Sequence, residues 1–375
     1  SSDLTTDRWR WSRHHEHAAM NHEAARTAIR RILEQPGFDG RALALVQAAL
    51  LIEHPWVPEG LGARLLAAAA ARPQDAAPAT APPGIPGPIP DDKEGLAAQV
   101  LPLVIRHPAQ TGVQAACLHA LIALWPHATR EERLRLRRQW YGSVLDRTAP
   151  PASFITREQL CAWQRDLPTS YQTGEVCPSV LATLVDEPSA EKAYQAFAHH
   201  LGPSTDLHGL SWSLGVCAQQ VLLHRFDFRG AIQQALVGAA ACELLVDVAP
   251  PSELMALFSQ VAHLVWWCRN GAGGRGLQSG STDSGVNLRM AVAAGDYTAS
   301  QRAARRAVRD PKRFWTEISE MVVGMADVGS HHWPRALAAL CVLSIRSGRN
   351  LPGPDDAAAA GATLAAVSYL DAHRT

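Results

Sequence analysis

Apolar positions recur three and four residues apart along most of this chain, and alternation with a period of two is nearly absent. Read by that spacing, helices are predicted over 14–33, 40–53 and 60–72, with Pro36-Gly37 and Pro55 or Pro58 as breakers. Further ones follow over 94–105, 112–124, 130–145, 157–165, 178–184 and 190–200. The second half continues with 204–224, 230–246, 251–269, a start near Asn287, 300–308, a start near Pro311, and 333–347. The fold class expected is all-α, about a dozen or more helices in antiparallel pairs joined by short links. No fixed repeat length emerges, although 112–124 has a local HEAT-type look.

Two stretches break the rhythm. Between Arg72 and Asp92 the run PQDAAPATAPPGIPGPIPDD carries too much proline for helix or central strand and reads as an extended surface connector. The chain is therefore expected to be one all-α domain over 1–375, with room for an N-terminal helical subdomain over 1–72, the connector over 73–92 and a main helical body over 93–375. The second stretch, NGAGGRGLQSGSTDSG, joins the helices ending near Arg269 and starting near Asn287 as a glycine- and serine-rich loop. Its glycines follow a helix instead of a buried strand, and no Lys-Ser/Thr pair follows them, so it is not a phosphate-binding loop.

Composition narrows the classes. The 375 residues hold 35 basic and 35 acidic side chains, a formal net charge of zero that lacks the surplus a general nucleic-acid binder exploits. With 47% hydrophobic and 19% charged residues, the chain can build a sizeable core. Seven cysteines stand far apart with no CxxC pair, which argues against a disulfide framework or zinc knuckle and for a reducing compartment. The first residues, SSDLTTDRWRWSRHHEH, lack a signal-peptide core, and no apolar run reaches the roughly 18 to 20 residues of a membrane span. A cytoplasmic protein without membrane or nucleic-acid partners is expected. No strand-glycine-helix fingerprint for flavin or nicotinamide occurs, nor a Gly-x-Ser-x-Gly elbow.

The informative excess is histidine, 16 in all, many of them inside apolar helices. In the first predicted helix, His15 and His22 fall within about 20° of each other, as do Glu16 and Glu23. His14 and His17 read as solvated, whereas His22 is followed by Ala24, Ala25, Ala28 and Ile29 and reads as packed. Over 204–224, Leu207, Leu210, Leu214, Cys217 and Val221 form the apolar stripe, and His208 lies about 100° away beside Ser211, Trp212 and Gly215. Over 251–269 the seam is Leu254, Leu257, Val261, Leu264 and Cys268, with His263 on the other face among Ser259, Gln260, Trp266 and Trp267. In GSHHWPRALAALCVL, Pro334 suits a first helical turn, which leaves His331 and His332 at the cap. A satisfied core or capping role is the ordinary account of any one of them; four on four apolar helices point further.

The order Asn21-His22, His208-Gly209-Leu210, His263 and His332 resembles that of the questin oxidase-like family, helical proteins that include anthraquinone-modifying oxygenases. The resemblance spans most of the chain through short motifs. It implies a non-haem iron held by four histidines and an oxygen-dependent ring cleavage or Baeyer-Villiger-type oxidation. What carries over is His22, His208, His263 and His332 as candidate metal ligands, with His15 an alternative to His22 and His331 to His332. Where that family often has His-x-x-Lys, this chain reads His332-Trp333-Pro334-Arg335, so a lysine-derived ligand is absent.

Neutral imidazoles suit iron, copper or zinc, and an octahedral ion with four of them keeps two positions open. The expected activity is a metal-dependent oxygenase, with Fe(II) as metal and O2 as co-substrate, acting on an aromatic or polyketide-like small molecule of secondary metabolism. Trp212, Trp266, Trp267 and Trp333 would wall the substrate site. Glu16, Glu23 or Asp327 would orient the imidazoles or add a ligand. The alternative is a non-enzymatic α-helical scaffold for protein-protein interaction, its histidines core and cap residues.

Overall fold

The computed structural model describes residues 60–71, 87–105, 124–145, 187–199, 207–224, 231–270 and 287–327, together with helical positions scattered through 23–31, 45–49, 118–122, 336–343 and 360–368. Among the described residues there is no strand, and the fold is all-α. The helices are α1 (Leu61–Ala71), α2 (Lys93–Ile105), α3 (Arg130–Leu145), α4 (Ala190–His199) and α5 (Leu207–His224), then α6 (Ala231–Leu245), α7 (Pro251–Asn270), α8 (Leu288–Ala293), α9 (Tyr297–Ala307) and α10 (Pro311–Asp327). No helix among the described residues is long and apolar enough to cross a membrane.

Local chemistry sets where these helices start. Thr129 and Glu132 close a reciprocal box at the head of α3: the Thr129 amide donates to the Glu132 carboxylate at 2.8 Å, and the Glu132 amide to the Thr129 hydroxyl at 3.3 Å. The cap bond from the Thr129 amide is the main reason the Glu132 carboxyl lies below its ordinary pKa, outweighing its partial burial. Asn287 and Asp296 cap α8 and α9 through the amides of Met290 and Ala299, and Asp310 accepts from the Arg313 amide ahead of α10. The spacing predicted the helix over 300–308; it starts instead at Tyr297, because Asp296 caps a first turn that carries no apolar periodicity.

The end of the proline-rich run is tied down where it reaches α2. Arg137 of α3, 5% exposed, donates to the carbonyls of Pro88 at 2.9 Å and Gly87 at 3.2 Å and to the Gln99 amide oxygen at 3.1 Å. Gln99 in turn donates to Pro88, and the Trp125 indole to the carbonyl of Pro90. Gly87 has φ 103°, a left-handed backbone that disfavours any side chain.

Helices α5, α6 and α7 pack on one another, and α2 and α4 lie against α7. A second group forms from α8, α9 and α10, with α1 against α10. One cluster of buried apolar side chains runs from Leu45 to Ala365 and includes Leu65 of α1 and Leu96 of α2. At two positions a glycine leaves room that a side chain would fill: a Cβ on Gly215 of α5 would lie 2.6 Å from Leu343 Cδ1, and one on Gly361 would lie 2.8 Å from the Ser300 carbonyl oxygen. Those two contacts bring residues near the C-terminus onto α5 and α9. The glycine- and serine-rich loop over 271–286 lies outside the described residues.

Candidate functional site

The three-helix unit of α5, α6 and α7 is apolar on nearly every face, yet a group of polar side chains is buried inside it. Ser211 and Ser213 on α5, Glu243 on α6, and Ser259 and Gln260 on α7 are all at most 2% exposed. A buried carboxylate is costly unless hydrogen bonds surround it, so Glu243 marks where the fold has arranged partners. It finds them across the α5–α6 interface. Its Oε1 lies 2.7 Å from Nδ1 of His208, and its Oε2 accepts the Ser211 hydroxyl. The His208 side chain keeps 19% of its surface exposed and that of Glu243 only 3%, so the imidazole stands between the buried carboxylate and the outside of the unit.

The backbone of α5 cooperates. Ser211 also lies 2.9 Å from the His208 carbonyl oxygen, and Ser213 donates to the Gly209 carbonyl at 2.7 Å. The Ser213 hydroxyl thereby finds its acceptor one turn back on its own helix, while the His208 carbonyl is a second acceptor within reach of Ser211. Cys242 feels the same carboxylate: burial first, and then the negative charge of Glu243, push its thiol well above the ordinary range. Burial alone raises the thiol of Cys217.

His263 occupies α7, which packs on α5. Its ring centroid is 6.0 Å from that of Trp266 at a tilted angle, and burial lowers its pKa, favouring the neutral imidazole that a metal ligand requires. The Trp266 indole donates to the Glu187 carbonyl at 2.9 Å, which fixes this ring against the segment leading into α4. Trp212 stands one turn after His208 on α5 and is 8% exposed.

Of the residues singled out from the sequence, then, the structure places His208 and Trp212 on α5 and pairs His263 with Trp266 on α7. His22, His332 and Trp333 lie outside the described residues, as do His15, His331, Glu16, Arg335 and the side chains of Trp267 and Asp327. Glu23 sits exposed on its helical segment and its carbonyl accepts the Thr27 hydroxyl; the carboxylate beside His208 is Glu243 instead. Among the described residues, no three His, Cys, Asp or Glu side chains gather into a group that could hold a metal ion.

Glu243 was not among the residues the sequence suggested. A signal was there: it is the single charged residue in the helix AIQQALVGAAACELL, and a lone charge in an otherwise uncharged buried helix needs a partner.

No family model matches the chain, and no match is found among curated proteins or solved structures.

Proposed function

We propose that this chain is a metal-dependent oxygenase, with non-haem ferrous iron as its metal and dioxygen as co-substrate, acting on an aromatic or polyketide-like small molecule. The observation that carries the reading is the 2.7 Å contact between Nδ1 of His208 and the buried carboxylate of Glu243. Histidines that ligate metals characteristically give their other ring nitrogen to a carboxylate or carbonyl, which sets ring orientation and raises ligand basicity. The donor chemistry fits as well: His263 is held neutral by burial, and the negative charge of a buried glutamate offsets part of the charge a divalent ion would bring. His208 and His263 would hold the metal together with His22 and His332, and Trp212 would offer a flat apolar surface to an aromatic substrate. Ferrous iron, when bound, supplies Lewis acidity and one-electron chemistry toward dioxygen. Glu243, itself held by Ser211, acts on His208 and keeps its ring aligned. A reducing cytoplasm suits the free thiols of Cys217 and Cys242.

Anaerobic reconstitution of the full chain with ferrous ion, followed by metal analysis after desalting, tests this. The reading expects about one ion per chain, lost in His208→Ala and in His263→Ala while helix content by circular dichroism is kept. It further expects metal-dependent oxygen uptake in the presence of hydroxylated polycyclic aromatics. A wild-type chain that retains no iron overturns it.

A further inference from the structure

We infer that Glu243 and Ser211 act together as a clamp that fixes the His208 imidazole in its Nδ1–H tautomer, so that the ring's lone pair resides on Nε2. An ionised carboxylate can only accept hydrogen bonds, so a ring nitrogen 2.7 Å from Oε1 of Glu243 must carry the proton. The free imidazole of histidine prefers the opposite tautomer, with the proton on Nε2; the fold therefore has to impose this arrangement.

Ser211 completes the imposition. Its single hydroxyl proton lies within reach of two acceptors, Oε2 of Glu243 and the His208 carbonyl oxygen at 2.9 Å. The bond to the charged acceptor is the stronger, so the carboxylate takes the proton. With Oε2 occupied, the carboxylate plane is fixed and Oε1 stays aimed at the ring. The Glu243 side chain is only 3% exposed, so bulk water has little access to its oxygens. Because α5 and α6 are rigid helices in direct contact, ring and carboxylate keep their separation without any loop taking part. Glu243 is thus a positioning residue acting through His208. The tautomer is independent of the metal-site reading; the role of Nε2 as a ligand rests on that reading.

Nitrogen NMR of the full chain labelled at histidine, prepared without metal, tests the clamp. The His208 signals are identified by their loss in His208→Gln. Wild-type His208 is expected to show a protonated Nδ1 and an unprotonated, pyridine-like Nε2 above its titration range, and Glu243→Ala to move the ring toward the Nε2–H form. Glu243→Asp is expected to restore part of the wild-type pattern. Observation of the Nε2–H tautomer in the wild type, or an unchanged ratio in a folded Glu243→Ala variant, overturns the inference. If that variant does not fold, the wild-type tautomer and the Ser211→Ala variant, expected to show a mixture of both forms, decide it. A second arm measures ferrous ion binding, with affinity expected to fall about 10- to 100-fold in Glu243→Ala. A wild-type chain with the Nδ1–H tautomer and no metal affinity would leave the clamp standing and remove the oxygenase.

Discussion

His263 lies in the apolar middle of α7, and burial there disfavours its imidazolium, so the folded-state pKa sits below the ordinary value of about 6.5. The unfolded chain then binds the proton more readily than the folded one. Stability from this residue is fully present above about pH 6.5 and is lost as pH falls through the window between the unfolded and folded values. Thermal melts of metal-free protein at pH 7.5, 6.5 and 5.5 are expected to show the difference between wild type and a non-titrating His263→Gln variant shifting against the wild type on acidification. Glycines give a second contrast. Alanine at Gly361 would drive its Cβ against the Ser300 carbonyl oxygen and the Ala304 Cβ, with expected destabilisation of about 1–3 kcal/mol. Gly324 in α10 has open space around its Cβ position, so Gly324→Ala should stabilise by about 1 kcal/mol through helix propensity; urea titrations of the two variants check both signs.

At the scale of the element, the helices draw their definition from caps as much as from propensity. Thr129→Ala removes one half of the box at the head of α3 and is expected to cost about 1 kcal/mol in chemical denaturation, whereas Thr129→Ser should keep nearly all of it. Such caps are also why much of the helical layout was legible from spacing. The ends of α3 and α7 fall at or within one residue of the predicted positions, because Thr129 and Pro251 announce the starts in local sequence. Histidines His208 and His263 were legible for the same reason, as polar residues inside apolar periodic segments. Glu243 was not, because its meaning depends on a partner 35 residues away, and nothing in a one-dimensional pattern says that α5 and α6 lie side by side at that register. The start of α9 escaped for a different reason: Tyr297, Thr298 and Ala299 show no apolar spacing, and their helicity follows from the Asp296 cap.

At the scale of the whole molecule, the thiols among the described residues are shielded. Cys217 and Cys242 are fully buried on adjacent helices, and both are held in the protonated form that reacts slowly with electrophiles. Neither should be alkylated by iodoacetamide within an hour in the folded chain, and both should react on unfolding in denaturant, as peptide mass mapping would show. Exposure of either thiol under mild heating would then report an opening of the α5–α6 contact, the contact on which the His208–Glu243 pair depends.

The fastening of residues 87–90 to α2 and α3 has an evolutionary corollary. Arg137 and Trp125 grip main-chain oxygens of Gly87, Pro88 and Pro90, and a main-chain oxygen is the same whichever side chain accompanies it. Pro88 and Pro90 are therefore free to drift among residues that hold an extended backbone. Gly87, bound by its left-handed φ, and Arg137, bound by the reach of its guanidinium, are not. Among homologous chains, the gripping residues should vary more slowly than the prolines they hold.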